Sequence, residues 1–177
     1  SQTVSIAPYE LHEWNGKVSV TEQKGVPDKS MRENSIRLGN ILHGIMEHIV
    51  SPSDIDSAVD SANLDGALTS RFASYFKRSL HHRMTADPLV REWFDVSAQQ
   101  ILAEVTFYSA GAEYRPDRIV RLKDGRTVIV DYKFGKKPDP DSQEQLKTYK
   151  SLLTEAGFSN VEAYVWYYRM NKIEKIN

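Results

Sequence analysis

The chain has 177 residues, a net charge of −1, 40% hydrophobic and 27% charged residues, and no cysteine. These values fit a single globular domain and exclude disulfides, cysteine-bound zinc and an iron–sulfur cluster. No apolar run is long enough to span a bilayer and no signal pattern opens the chain, and the lack of cysteine fits the expected cytoplasmic location; near-neutral charge means that any nucleic-acid contact must come from a local basic surface, a metal ion or a larger protein around the chain.

The segment 1–29 reads as an arm or hairpin, with β-like pieces Val4–Ala7 and Lys17–Thr21 around an Asn15-Gly16 turn. Residues 30–177 read as one structural domain. A start at Ser1 and not at Met points to excision from a longer protein. Ser30-Met31-Arg32-Glu33 has the pattern of a capping box, in which serine and glutamate side chains satisfy orphan backbone donors. A helix follows through Ile36, Leu42, Met46 and Ile49. Ser51-Pro52-Ser53-Asp54 restarts a second helix, with proline at its first position. Phe72, Tyr75, Phe76 and Leu80 give helical spacing within Ala67–Met84, and Asp87–Trp93 reads as a short fourth helix.

The period then changes. Leu102–Tyr108, Tyr114–Leu122 and Thr127–Lys133 are rich in β-branched and aromatic residues, and Asp124-Gly125 predicts a hairpin between the last two. Asp139-Pro140-Asp141 opens another helix, with Leu146, Tyr149, Leu152 and Leu153 on one side and Gly157 as its cap. Val161–Arg169 is a last strand. The order, helices then strands then helix then strand, predicts an α/β sandwich around a small mixed sheet with an N-terminal helical region.

Two aspartates interrupt apolar strands. Asp117 lies in Arg115-Pro116-Asp117-Arg118-Ile119-Val120, and Asp131 in Val128-Ile129-Val130-Asp131-Tyr132-Lys133. A buried carboxylate is costly unless a cation, hydrogen bonds or a metal compensates it. Lys133 lies two residues past Asp131, so both side chains share one face of the strand. Register decides whether Asp117 joins them. A two-residue turn at Asp124-Gly125 pairs Asp117 with Tyr132 and sends the aspartates to opposite faces. A three-residue loop with Gly125 left-handed in a bulge pairs Leu122 with Arg126 and sets Asp117 opposite Asp131, Cβ atoms about 4.5–5.5 Å apart. Carboxylates that close repel unless a cation lies between them. The bulged hairpin and a divalent metal are therefore expected, with hard oxygen ligands favouring Mg²⁺ or Mn²⁺ and the Tyr132 carbonyl as a further ligand. Such a site, with Lys133 beside a metal-bound water, suits phosphodiester hydrolysis. The alternative is a structural Asp131–Lys133 ion pair with Asp117 capping a turn.

At these residues the chain resembles the PD-(D/E)XK nuclease superfamily: Pro116-Asp117, then Asp131-Tyr132-Lys133 fourteen residues on. Within it, the motif order is similar to the RecB/AddA-like C-terminal nuclease domains of UvrD/Rep-type helicase-nucleases. Gly39, His43 and Glu47 match a GxxxHxxxE helix, Glu104 matches an acidic strand before the PD strand, and Gln145-Leu146-Lys147-Thr148-Tyr149 matches QLxxY. The resemblance implies a restriction-endonuclease-like fold and a metal-dependent DNA nuclease, more an exonuclease than an endonuclease, acting on single-stranded DNA ends in recombination and repair. It implies His43 as an additional metal ligand, where spacing alone favours an ordinary core or surface histidine. It implies Gln145 and Tyr149 at the active site or phosphate backbone, where Tyr149 otherwise reads as a core aromatic. Glu104 would bind a second metal, position Lys133 or balance charge. No iron–sulfur cysteines are present and no GxxxxGK[ST] loop, so no nucleotide site is expected; if the chain is part of a helicase-nuclease, as the resemblance implies, the helicase motor lies elsewhere in the polypeptide or complex. Arg115, Arg118, Lys136 and Lys137 are the candidate DNA contacts. The rival readings are an inactive nuclease-like DNA- or partner-binding module, and an RNA-directed or stand-alone nuclease.

Overall fold

Amphipathic helices form first along the chain because apolar side chains recur every three or four residues there. The computed structural model describes residues 29–95, 97, 99–101, 106–109 and 112–177, in two compact units that meet in sequence between Phe94 and Asp95. The expected N-terminal hairpin, the Ser30 side chain of the capping box and Glu104 lie outside the described residues.

The first unit is helical: α1 (Lys29–Glu47), a 3-10 turn (Pro52–Asp54), α2 (Ile55–Leu64), α3 (Ser70–Ala86) and α4 (Pro88–Phe94). Leu42, Ile45, Met46 and Ile49 bury one stripe at the end of α1 and just beyond it. Asp54 Oδ2 accepts the Val50 and Ser51 N–H groups at 3.0 Å and fixes the corner into α2. In α3, Phe72, Phe76 and Leu80 are buried at helical spacing, and the Thr69 hydroxyl accepts the Phe72 N–H. Lys77 bonds Asp60 at 2.7 Å and His81 meets Asp56 at 2.9 Å, tying α3 to α2 at the surface. Asp87 Oδ1 accepts from the Leu89 and Val90 N–H groups and starts α4.

The second unit is built on a five-stranded mixed sheet in the order β1-β4-β5-β6-β7. Its strands are β1 (Gln99–Ile101), β4 (Arg118–Leu122), β5 (Thr127–Lys133), β6 (Val161–Tyr167) and β7 (Lys172–Ile176). β2 (Phe107–Ser109) and β3 (Ala112–Tyr114) make a separate two-stranded ribbon. β5 and β6 are parallel, joined by helix α5 (Pro140–Glu155), and the other neighbours in the main sheet are antiparallel. Two expected strands, Tyr114–Leu122 and Val161–Arg169, are shorter than predicted. The segment before the hairpin separates into β3 and β4 at Arg115-Pro116-Asp117, where proline cannot donate to a ladder. The last strand ends at Tyr167, turns with Asn171 at φ +48° and returns as β7, a strand not foreseen from sequence.

The odd-numbered residues of β4, β5 and β6 face α5. Ile119, Ile129, Val161, Ala163, Val165 and Tyr167 pack in one core cluster with Leu146, Tyr149 and Leu153 of the helix. The opposite face is also buried and is aromatic, with Tyr132 edge-on to Trp166 at 5.9 Å and Trp166 against Tyr168 at 5.4 Å. α5 closes as expected at Gly157, φ +94°, with the Phe158 N–H returning to the Leu153 carbonyl.

Candidate active site

The β4–β5 turn sets the site. Gly125 takes φ +94°, its N–H bonds the Leu122 carbonyl at 3.0 Å, and the Leu122 N–H bonds the Arg126 carbonyl at 2.8 Å. This is the three-residue loop with a left-handed glycine. Ladder pairs then run from Arg121 opposite Thr127 to Arg118 opposite Val130; the same register continued one step would set Asp117 opposite Asp131, and the two carboxylates are close enough for the charge of Asp117 to act on Asp131. Asp117, Asp131 and Lys133 are all odd-numbered, so they share the face that packs on α5, at the edge where β5 and β6 both end.

Asp117 stands where β4 leaves the ladder, and its Oδ2 accepts the Tyr132 N–H at 2.6 Å. The side chain thus takes over a backbone donor that the strand would otherwise have met. The bonded pair Leu122–Arg126 means that even-numbered residues of β5 direct their N–H and C=O groups toward β4. The Tyr132 carbonyl therefore leaves on the Asp117 side, opposite Pro116, which brings no N–H to the ladder. Odd-numbered groups point the other way, as the Tyr168 N–H to Lys133 carbonyl bond of 2.9 Å demonstrates.

Asp131 is largely buried, its side chain 14% exposed. Burial, and next the charge of Asp117, push its carboxyl up to about 7, while Lys133 opposes the shift. Lys133 Nζ lies 2.9 Å from Asp131 Oδ2. The contact is an ion pair by distance but off-axis for a hydrogen bond, so that buried oxygen has a counter-charge without a directed donor. Burial works to lower the Lys133 amine, yet the carboxylates of Asp131, Asp117 and Asp139 outweigh it and raise its pKa, keeping it an ammonium.

Two facing carboxylates, one with a buried oxygen lacking a directed donor and a backbone carbonyl beside them, form an all-oxygen set that fits a hard divalent cation. Among the described residues no cluster of three or more histidine, aspartate or glutamate side chains is assembled.

The remaining sequence candidates fall in varied places. His43 lies on α1 in the first unit, half-buried, its Nδ1 bonded to the Gly39 carbonyl at 2.9 Å. That bond fixes Nδ1 as a donor, and His48 makes the same bond to the Gly44 carbonyl at 2.8 Å. Gln145 is exposed on α5, whereas Tyr149 is 3% exposed within the core cluster. Arg115, Lys136 and Lys137 are exposed. Arg118 is buried on the aromatic face, where desolvation lowers its pKa and the Tyr132 phenol is its partner. That is an internal position and not an exposed phosphate contact. Arg126 is engaged by Asp124 at 2.8 Å and Glu162 at 3.5 Å.

In the sequence Asp139 marks only a helix start, yet its Oδ2 lies 4.0 Å from Lys133 Nζ. The available signal was the short spacing: a helix that starts six residues after a strand must begin near that strand's end.

A mixed sheet covered on one face by α5, a helical N-terminal unit, and an Asp–Asp–Lys set at the end of the central hairpin are consistent with a restriction-endonuclease-like α/β fold. The chain matches the PD-(D/E)XK nuclease superfamily over residues 19–177 and belongs to that superfamily. Its nucleases generally use divalent metals such as Mg²⁺. No curated protein matches the chain.

Proposed function

We propose that this protein is a Mg²⁺- or Mn²⁺-dependent deoxyribonuclease that hydrolyses phosphodiester bonds. The observation that carries the reading is the register that sets Asp117 across from Asp131 with Lys133 on the same face. When bound by the two aspartates, a divalent cation supplies positive charge to a phosphate oxygen and makes a coordinated water acidic. Asp117 and Asp131 would hold the cation through carboxylate oxygens and the Tyr132 carbonyl would contribute from the main chain, with His43 the further ligand that the family motif alone implies. Lys133 holds the attacking water by its ammonium and balances charge on the phosphate as the bond breaks. Lys136, Lys137 and Arg115 bind flanking phosphates.

The narrower reading is an exonuclease module of a RecB/AddA-like helicase-nuclease that receives single-stranded DNA from a motor and acts in recombination and repair. The ordered motifs around His43, Glu104, Gln145 and Tyr149 support it, as does a modest local cluster of cations in a chain of net charge −1. Glu104 then adds charge or a second metal, and Gln145 and Tyr149 contact the site or the DNA backbone.

The test is degradation of end-labelled single-stranded DNA, duplex DNA and RNA with Mn²⁺, with Mg²⁺ and with EDTA. The expected result is metal-dependent loss of single-stranded DNA that disappears in Asp131→Ala and Lys133→Ala. DNA binding without cleavage by folded protein in either metal would instead identify a nuclease-like binding module.

A further inference from the structure

The capping residue of α5 is tied to the catalytic lysine as well as to its own helix. Asp139 Oδ1 accepts the Asp141 N–H at 3.2 Å, and Oδ2 accepts the hydroxyl of buried Ser142 at 2.8 Å. The Asp139 N–H donates to the Tyr167 phenol oxygen at 3.4 Å. Tyr167 is fully buried and is the register partner of Lys133 on β6. The carboxylate is therefore pinned to the sheet row that carries Lys133, with Oδ2 4.0 Å from Nζ. An N-cap requires only an oxygen directed at its own helix; here the same carboxylate also faces a half-buried ammonium.

The nearer partner of that ammonium is Asp131, at 2.9 Å. A cation held by Asp117 and Asp131 draws on the same oxygens and repels the lysine. A lysine with no other counter-charge would swing out toward solvent. We infer that Asp139 is the second counter-ion of Lys133, a positioning residue that keeps the amine at the end of β5 when Asp131 is engaged by a cation. The catalytic consequence rests on the nuclease reading; the placement of the lysine does not.

Asparagine caps helices as well as aspartate, so Asp139→Asn removes the charge and keeps the helix start. Asp131→Asn, in metal-free protein, stands for the engaged carboxylate. The measurement is the ¹⁵N order parameter of the Lys133 side-chain ammonium in the full chain, assigned by its loss in Lys133→Gln. Lys133 should stay ordered in Asp131→Asn and fall to the mobility of exposed Lys136 in Asp131→Asn/Asp139→Asn. An ammonium already mobile in the single variant, or still ordered in the double, overturns the inference. If the Asn double variant does not fold, Asp139→Ser, the other strong cap, takes its place with the same expected outcomes. In Mn²⁺-dependent cleavage, Asp139→Asn should lower kcat about tenfold with KM unchanged, the low end of what losing a partner behind a site residue costs. A purely capping role predicts unchanged kcat. Absence of cleavage by the unmodified protein would sink the nuclease reading, and the order parameters would still decide the role of Asp139.

Discussion

Asp117 lies just beyond the last β4–β5 ladder pair and its charge acts on Asp131; the first of these carboxylates is fastened to the Tyr132 N–H at 2.6 Å while the second is buried beside Lys133. One aspartate is thus oriented by the backbone and the other by charge. Replacing either with asparagine should remove the cation site. Asp117→Asn and Asp131→Asn are each expected to lower Mn²⁺-dependent cleavage of single-stranded DNA by a factor of about 10² or more. Calorimetric titration should register the loss of Mn²⁺ binding in both.

The two aspartates also make the metal-free protein sensitive to pH. The folded-state pKa of Asp131 is raised from 3.8 to about 7 by burial and by Asp117. A raised acid favours the fold fully below its unfolded pKa, and that contribution is lost as pH climbs through the folded pKa. Metal-free protein should therefore lose stability between about pH 4 and 7, on the order of 2–4 kcal/mol from this group. Thermal unfolding in EDTA across pH 5 to 8 checks it. Asp131→Asn should flatten the slope and melt higher than the unmodified protein at pH 8, where Mn²⁺ should also stabilise most.

Lys133 stands between two carboxylates and is an ammonium throughout the neutral range. Lys133→Met keeps much of the aliphatic stem and removes the charge. It should reduce kcat about 10²-fold, a loss typical of removing one transition-state donor, while leaving Mn²⁺ binding in place. An unchanged rate would exclude the lysine from the chemistry.

Gly125 has open space where a Cβ would sit, so replacing it tests backbone conformation alone. At φ +94°, Gly125→Ala should destabilise the protein by about 1–2 kcal/mol through left-handed strain. Urea unfolding measures the cost. Any slip of the hairpin to relieve the strain would turn Asp117 away from Asp131, so activity should fall further than stability alone predicts.

Lys136 and Lys137 are exposed in the loop between β5 and α5. Lys136→Gln/Lys137→Gln should weaken binding of single-stranded DNA and lower the salt-dependence slope by about 1.4, at about 0.7 per lost phosphate contact. Fluorescence anisotropy in Ca²⁺ across a salt series reads the slope without turnover. An unaltered slope would place the DNA path elsewhere.

Much of the β4–β5 hairpin is legible in the sequence. A glycine that alone tolerates φ near +94° sits where the loop needs it, and the strand period of two then carries the parity from Leu122 to Asp117 and from Arg126 to Asp131. The Gly157 cap and the Asp139 helix start were equally local. β7 was not legible, because Lys172-Ile173-Glu174-Lys175-Ile176 is a charged edge strand whose pairing depends on β6 and not on its own apolar content. Arg118 read as a surface cation from its basic neighbours and is buried beside Tyr132 on the aromatic face.

The amino-acid order alone placed Gly125 at the turn and fixed the strand period of two that carries parity once the loop length is set, because those follow from backbone sterics within a few residues. Only the folded chain decided that Asp139 comes back to Lys133, that Tyr149 fills the core beneath the site and that Arg118 turns inward. Those contacts join distant elements, and their energies depend on burial and on which side chains the α5 crossover and the sheet bring together.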